Sequence, residues 1–155
     1  MSTQITNRLT EIGITLPKPT PAAGTYSPFI ITGNLVFISG QVPVGKSGLE
    51  FQGKVGDTFS VEEGKAAARL CAINILAQLS AALEGDLDRV TRCVKLGGFV
   101  NSKPEFAEHP AVMNGASDLM VEVFAEKGRH ARFAVGAPSL PFDVAVEVEA
   151  IFEIE

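Results

Sequence analysis

The sequence predicts an α+β domain: five strands form one mostly antiparallel sheet, and two helices cover a single face of it. Three observations lead there. Residues 144–154 alternate, with Val144, Val146, Val148, Ala150, Phe152 and Ile154 on one side and Ala145, Glu147, Glu149, Ile151 and Glu153 on the other. Residues 60–83 carry an apolar stripe at helical spacing behind a helix-start signal. Gly33-Asn34 separates two strand-like runs by the length of a tight hairpin turn. The element order is β-β-α-β-α-β-β, preceded by a short N-terminal helix. With two helices for five strands, one sheet face stays bare.

Each element has its own local reason. Residues 2–12 fit a short helix with Ile5, Leu9 and Ile12 on one side and Gly13 as its stop. Pro17, Pro19 and Pro21 then impose an extended connector over 14–23. Strands are predicted at 26–32 and 35–41, and the glycines of 43–57 read as a loop. Ser60-Val61-Glu62-Glu63 is a capping box; Ala68, Ala72, Leu76, Leu79 and Leu83 form the stripe behind it, and Gly85 ends the helix. A strand over about 89–100 follows, then a helix over 110–126 opened by Pro110 and stopped by Gly128. The final strands, 131–137 and 144–154, read as a hairpin about Pro138-Ser139-Leu140-Pro141. That register places Phe133 opposite Val146 and Val135 opposite Val144 beneath the helices. It also places Arg132 opposite Glu147 on the bare side.

Length and composition narrow the function classes. The 155 residues, 46% hydrophobic and 20% charged, suit a single domain over 1–155, with 1–23 as an extension and 24–155 as the core. Thirteen Lys+Arg against eighteen Asp+Glu give a net charge of −5, which opposes nucleic acid as a partner. No run approaches ~18 consecutive apolar residues, and residues 1–4 lack the plan of a secretion signal. Two cysteines, Cys71 and Cys93, make no disulfide framework and are expected as buried small hydrophobes. A cytoplasmic protein with no membrane partner is expected.

Several chemical signals are weak. Gly40-Gln41-Val42-Pro43-Val44-Gly45-Lys46-Ser47 has phosphate-loop spacing, but no helix is predicted to start at the lysine. His109 and His130 are the two histidines, too few for a zinc centre; His109 is placed at a helix start and His130 at a pocket mouth. Glu147, Glu149 and Glu153 repeat along one strand without an opposing carboxylate source, which is poor support for glycoside hydrolysis. The Arg132–Glu147 pair is by default a structural ion pair. In a functional reading, Arg132 forks onto a substrate carboxylate. Glu147 then handles a water for addition to an electrophilic carbon. The bare sheet face, mixing carboxylates with apolar residues, points to association with further copies of the chain.

Four segments in order carry a family resemblance: Gly24-Thr25-Tyr26-Ser27, Leu35 through Pro43, Ala131-Arg132-Phe133-Ala134-Val135 through Leu140-Pro141, and Val146-Glu147-Val148-Glu149-Ala150. Across about 24–154 the chain resembles the Rid (reactive intermediate deaminase, or YjgF) family. The resemblance implies a chorismate-mutase-like fold and a homotrimer with sites between subunits. It also implies cofactor-free hydrolysis of 2-enamine or 2-imino acids, such as 2-aminoacrylate, to 2-oxo acids and ammonia. By that resemblance Arg132 binds the carboxylate of a small substrate, Glu147 serves the attacking water, and Tyr26 walls the pocket, with Gly40, Phe133 and Ala134 as further pocket residues. Non-catalytic binding of a small carboxylate is the alternative, and an endoribonuclease or translation-inhibitor role follows less well from the charge. Two departures stand out: Ala134 replaces a pocket cysteine, and Pro104 stands where an asparagine is expected before the second helix.

Overall fold

The structure, a computed structural model, describes residues 3–155. Ser2, the expected start of the N-terminal helix, lies outside them. Helix α1 (Gln4–Glu11) is capped by Thr3, whose hydroxyl accepts from the Thr6 amide. Its Gln4 and Ile5 amides both donate to the Asp88 carboxylate at 2.9 Å, so a distant acid completes the cap and ties α1 to the body. Strands β1 (Phe29–Thr32) and β2 (Leu35–Gln41) form the expected hairpin, with Gly33 at φ +59° in its turn.

The stretch read as a loop holds a small hairpin of its own, β3 (Val44–Gly45) and β4 (Gly48–Leu49). Lys46 therefore lies in a β-turn region and opens no helix, which removes the phosphate-loop reading. Helix α2 (Val61–Ala82) starts with both bonds of the capping box formed, each 3.1 Å. Strand β5 (Val90–Asn101), helix α3 (His109–Phe124), strand β6 (Ala131–Ala137) and strand β7 (Val146–Ile154) complete the order.

The sheet order is β1-β2-β7-β5-β6. Both long helices pack on one face, burying Ile75, Leu76, Leu79, Leu119 and Met120 against Val36, Val148 and Phe152. Cys71 and Cys93 are buried and unpaired, as expected.

One expectation is overturned: β6 and β7 do not form a hairpin. Strand β6 lies parallel to β5, reached through α3 as a β-α-β crossover, and β7 inserts antiparallel between β2 and β5. The connecting segment steps over the end of β5, where the Ala145 amide donates to the Phe51 carbonyl and the Asn101 amide to the Ala145 carbonyl, both 2.8 Å. A short turn-rich loop between two apolar strands is a hairpin signal, but alternation reports only a strand's faces and leaves its neighbour open.

The corrected register reverses the faces of β6. Phe133 pairs with Gly97, and Val135 with Phe99, which in turn pairs with Glu147. Phe133 and Val135 thus share the bare face with Glu147, while Arg132 and Ala134 turn toward the helices. The Phe133 ring meets Phe99 edge-on at 5.3 Å, with Lys95 Nζ 5.2 Å from its centre. Ile30, Phe37, Phe99 and Val135 leave that face apolar and exposed. No helix among the described residues is long and apolar enough to cross a membrane.

Candidate active site

A cleft opens where β2 is irregular. Ile38 pairs with Ala150 and Gln41 with Val148, so β2 spends one residue more than β7 around Ser39-Gly40. Such a bulge splays two strands and re-aims side chains. The Glu147 carboxyl fills the gap: a β-carbon at Gly40 would lie 2.5 Å from its Oε1. Glu147, Gly40, Tyr26 and Phe142 line a cleft of about 560 Å³, with Pro21, Ala22 and Val42 among its apolar walls.

The walls are fastened from behind. Gln78 on α2 donates to the Thr20 carbonyl at 2.7 Å, holding the proline-rich connector against the cleft. Tyr26 accepts the Ala23 amide at 3.2 Å, and Ser39 donates to the Ser27 carbonyl at 2.7 Å. Half-burial of Glu147 raises its pKa above the ordinary carboxylate value, and the charge of Glu149 adds to the rise. The Cys71 thiol behind it is pushed well up by burial first and Glu147 second.

Arg132 lies elsewhere. On edge strand β6 it faces α3, and its Nη1 donates to Asn114 Oδ1 at 2.8 Å and Ser117 Oγ at 3.1 Å. His130 Nδ1 lies 2.7 Å from the Gly128 carbonyl oxygen, an acceptor only, so Nδ1 carries the proton. In the neutral ring Nε2 then accepts the Ser117 hydroxyl, 2.8 Å away, leaving the Ser117 oxygen to receive Arg132. Among the described residues, Nε and Nη2 of Arg132 take no hydrogen-bond partner.

The two catalytic candidates are therefore far apart within one chain. Two strand spacings across and three residues along separate their backbones by roughly 14 Å, on opposite faces of the sheet. The expected cross-strand ion pair does not exist. Of the predicted site residues, Tyr26, Gly40 and Glu147 meet in the cleft. Arg132 and Ala134 share the helix side of β6, and Phe133 lies on the bare face. His130 sits behind Arg132, outside the residues lining the cleft.

Sequence reasoning missed Asn114, Ser117 and Phe142. Pro104 drew attention to an absent asparagine before the helix, yet Asn114 inside α3 reaches the arginine. Its signal was present: Asn114 and Ser117, at i and i+3, form a polar pair beside the apolar stripe of Met113, Ala116 and Met120. Among the described residues no group of three His, Cys, Asp or Glu comes together to hold a metal ion.

The family described as "YjgF/chorismate_mutase-like, putative endoribonuclease" matches residues 6–154. The chain belongs to this family. The YjgF-type chain is 47% identical over 154 residues to Protein TCP17 of Trypanosoma cruzi, covering 99% of this chain and 96% of that relative. A crystal structure of Atu1372 from Agrobacterium tumefaciens, described as a protein with unknown function, is 50% identical at a TM-score of 0.90 and covers 97% of this chain and 94% of that one. RidA from a Psychrobacter species is 30% identical at a TM-score of 0.60, covering 91% and 97%. The YjgF/chorismate-mutase-like fold expected from the four sequence segments is thereby established.

Proposed function

We propose that the chain is the subunit of a cytoplasmic, homotrimeric hydrolase that converts 2-imino and 2-enamine acids of the 2-aminoacrylate type to 2-oxo acids and ammonia. The observation that carries this reading is Glu147: a half-buried carboxyl with a raised pKa, at the floor of a cleft built around it by the Gly40 bulge. A carboxyl whose pKa is raised by burial holds its proton to higher pH than an exposed one, which suits a group that must both give and take a proton.

The chemistry needs little else. An enamine acid first tautomerises to its imine by protonation at C3. Glu147 protonates the imine nitrogen, making the carbon more electrophilic, and its carboxylate then takes a proton from the water that attacks that carbon. The resulting carbinolamine receives that proton back on nitrogen and expels ammonia, and loss of the hydroxyl proton leaves the 2-oxo acid. Arg132 binds the substrate carboxylate through Nε and Nη2, pre-oriented because Asn114 and Ser117 hold Nη1. The electrophile is already present in the substrate, so the proposed route uses no cofactor.

Arg132 and Glu147 can serve one substrate only when edge strand β6 of one copy reaches the cleft of the next. The exposed apolar sheet face supports such an assembly, because a patch of this kind is covered by a partner in stable proteins. RNA is disfavoured: the chain carries a net charge of −5, and its cleft is floored by a carboxylate.

The test couples the protein to an enzyme generating 2-aminoacrylate and follows ammonia and 2-oxo acid, comparing wild type with Arg132→Ala after sizing both. Faster release by wild type alone supports the reading. Equal rates overturn it, and Arg132-dependent carboxylate binding without turnover would identify a binding protein instead.

A further inference from the structure

Phe142 is a ring whose position the fold does not explain. It is 60% exposed, so its burial contributes little to stability. Its backbone sits at φ +59°, ψ +16°, and Asp143 follows at φ +59°. Left-handed backbone is unfavourable for any residue with a β-carbon, and glycine is the residue that fits it without strain. A bulky residue at such a position points from strain to function.

The turn is also clamped. Gln52 Nε2 donates to the Phe142 carbonyl at 2.8 Å, the Gly53 amide to the Asp143 carbonyl at 2.7 Å, and Asn101 Nδ2 to Asp143 Oδ1 at 3.1 Å. These bonds hold the backbone and leave the ring free to line the cleft that Glu147 floors. The nearby wall is apolar through Pro21, Ala22, Pro28 and Val42. At about 560 Å³ the cleft is in the size range of sites for much larger ligands than a three-carbon acid.

We infer that Phe142 is the specificity wall of this cleft and that the preferred substrate is a 2-imino acid with a bulky apolar or aromatic side chain. The inference rests on the deaminase reading of the same cleft. The substrate's side chain packs on the Phe142 ring and the proline-rich wall, while its imine carbon meets Glu147. Apolar contact of this extent discriminates by about tenfold or more between side chains.

The experiment forms 2-imino acids in place from L-phenylalanine and L-alanine with an amino-acid oxidase and follows 2-oxo acid release. Wild type is expected to favour the phenylalanine imine by about tenfold in kcat/KM. Phe142→Gly loses that preference, with a fall on the phenylalanine imine about tenfold larger than any change on the alanine imine, and melts no lower than wild type because the left-handed backbone is relieved. Phe142→Leu, which keeps an apolar wall, retains an intermediate preference.

Equal losses on both imines overturn the inference. So does a lower melting temperature or an altered oligomer for Phe142→Gly, since the ring would then serve packing or subunit contact. Acceleration of the alanine imine without any bulky preference removes this inference and leaves the deaminase reading standing. Acceleration of neither imine, nor of 2-aminoacrylate, removes both.

Discussion

The carboxyl group of Glu147 occupies the space that a side chain at residue 40 would need, with Oε1 2.5 Å from the position of a β-carbon there. The bulge and the glycine together make room for an acid between two strands. Gly40→Ala should displace the carboxyl, the movable partner, while the strands stay in place. The proposed deaminase activity is expected to fall by about tenfold or more, with a stability loss of about 1 kcal/mol. Kinetics and thermal melts of the same sample check both. Unchanged activity would show that the position of the carboxyl does not matter.

Glu147 itself should cost stability in the wild type. Its folded pKa is raised by desolvation first and by Glu149 second, above the roughly 4.3 of an unfolded glutamate. Between those two values the folded protein holds a proton that the unfolded chain has lost, so stability falls as pH rises through that window. Glu147→Gln removes the penalty. It should melt about 2 °C higher than wild type at pH 7.5, show no such gain at pH 4, and lose activity by about a hundredfold.

Ser117 should act on substrate binding through Arg132. Ser117→Ala removes one of the two acceptors for Nη1 and frees the guanidinium to turn. The expected signature is a KM raised about tenfold with kcat changed much less, restored in part by Ser117→Thr. Equal falls in kcat and kcat/KM would mean that the hydroxyl does more than position the arginine.

Asp88 anchors α1. The Ile5 amide bond is the largest cause of its lowered pKa, with the Gln4 amide, the Thr3 hydroxyl and the Lys127 charge adding to it. Its stabilisation is present above the unfolded value of about 3.9 and is lost as pH falls through the lower folded value. Asp88→Ala should cost about 1 kcal/mol at pH 7. Hydrogen exchange at Gln4–Glu11 should speed up far more than exchange in the sheet. Uniform acceleration would contradict a local anchoring role.

Local signals in the sequence carried most of the fold. The capping box at Ser60, the Gly33 turn and the alternation of 144–154 each depend on neighbouring residues, and each appears in the structure. The pairing of β6 was not legible, because an alternating strand has two usable edges and Arg132, Phe133 and Val135 fit either parity. The hairpin register puts these residues on the opposite faces from the ones they take beside β5, and the Arg132–Glu147 pair belongs to that register alone. Tyr26, Gly40 and Glu147 line one cleft whichever edge β6 takes, because their positions do not depend on that pairing. Asn114 escaped because its role depends on which side of β6 meets α3. Phe142 escaped because nothing in its sequence neighbourhood announces a left-handed phenylalanine.

The opposed directions of Arg132 and Glu147 have a genetic consequence. In the proposed assembly each pocket borrows its arginine from one copy and its glutamate from the next. A subunit lacking the arginine and a subunit lacking the glutamate, each inert alone, would rebuild intact pockets when synthesised together. Two loss-of-function alleles would complement each other within one gene, whereas two alleles that both damage the glutamate never would.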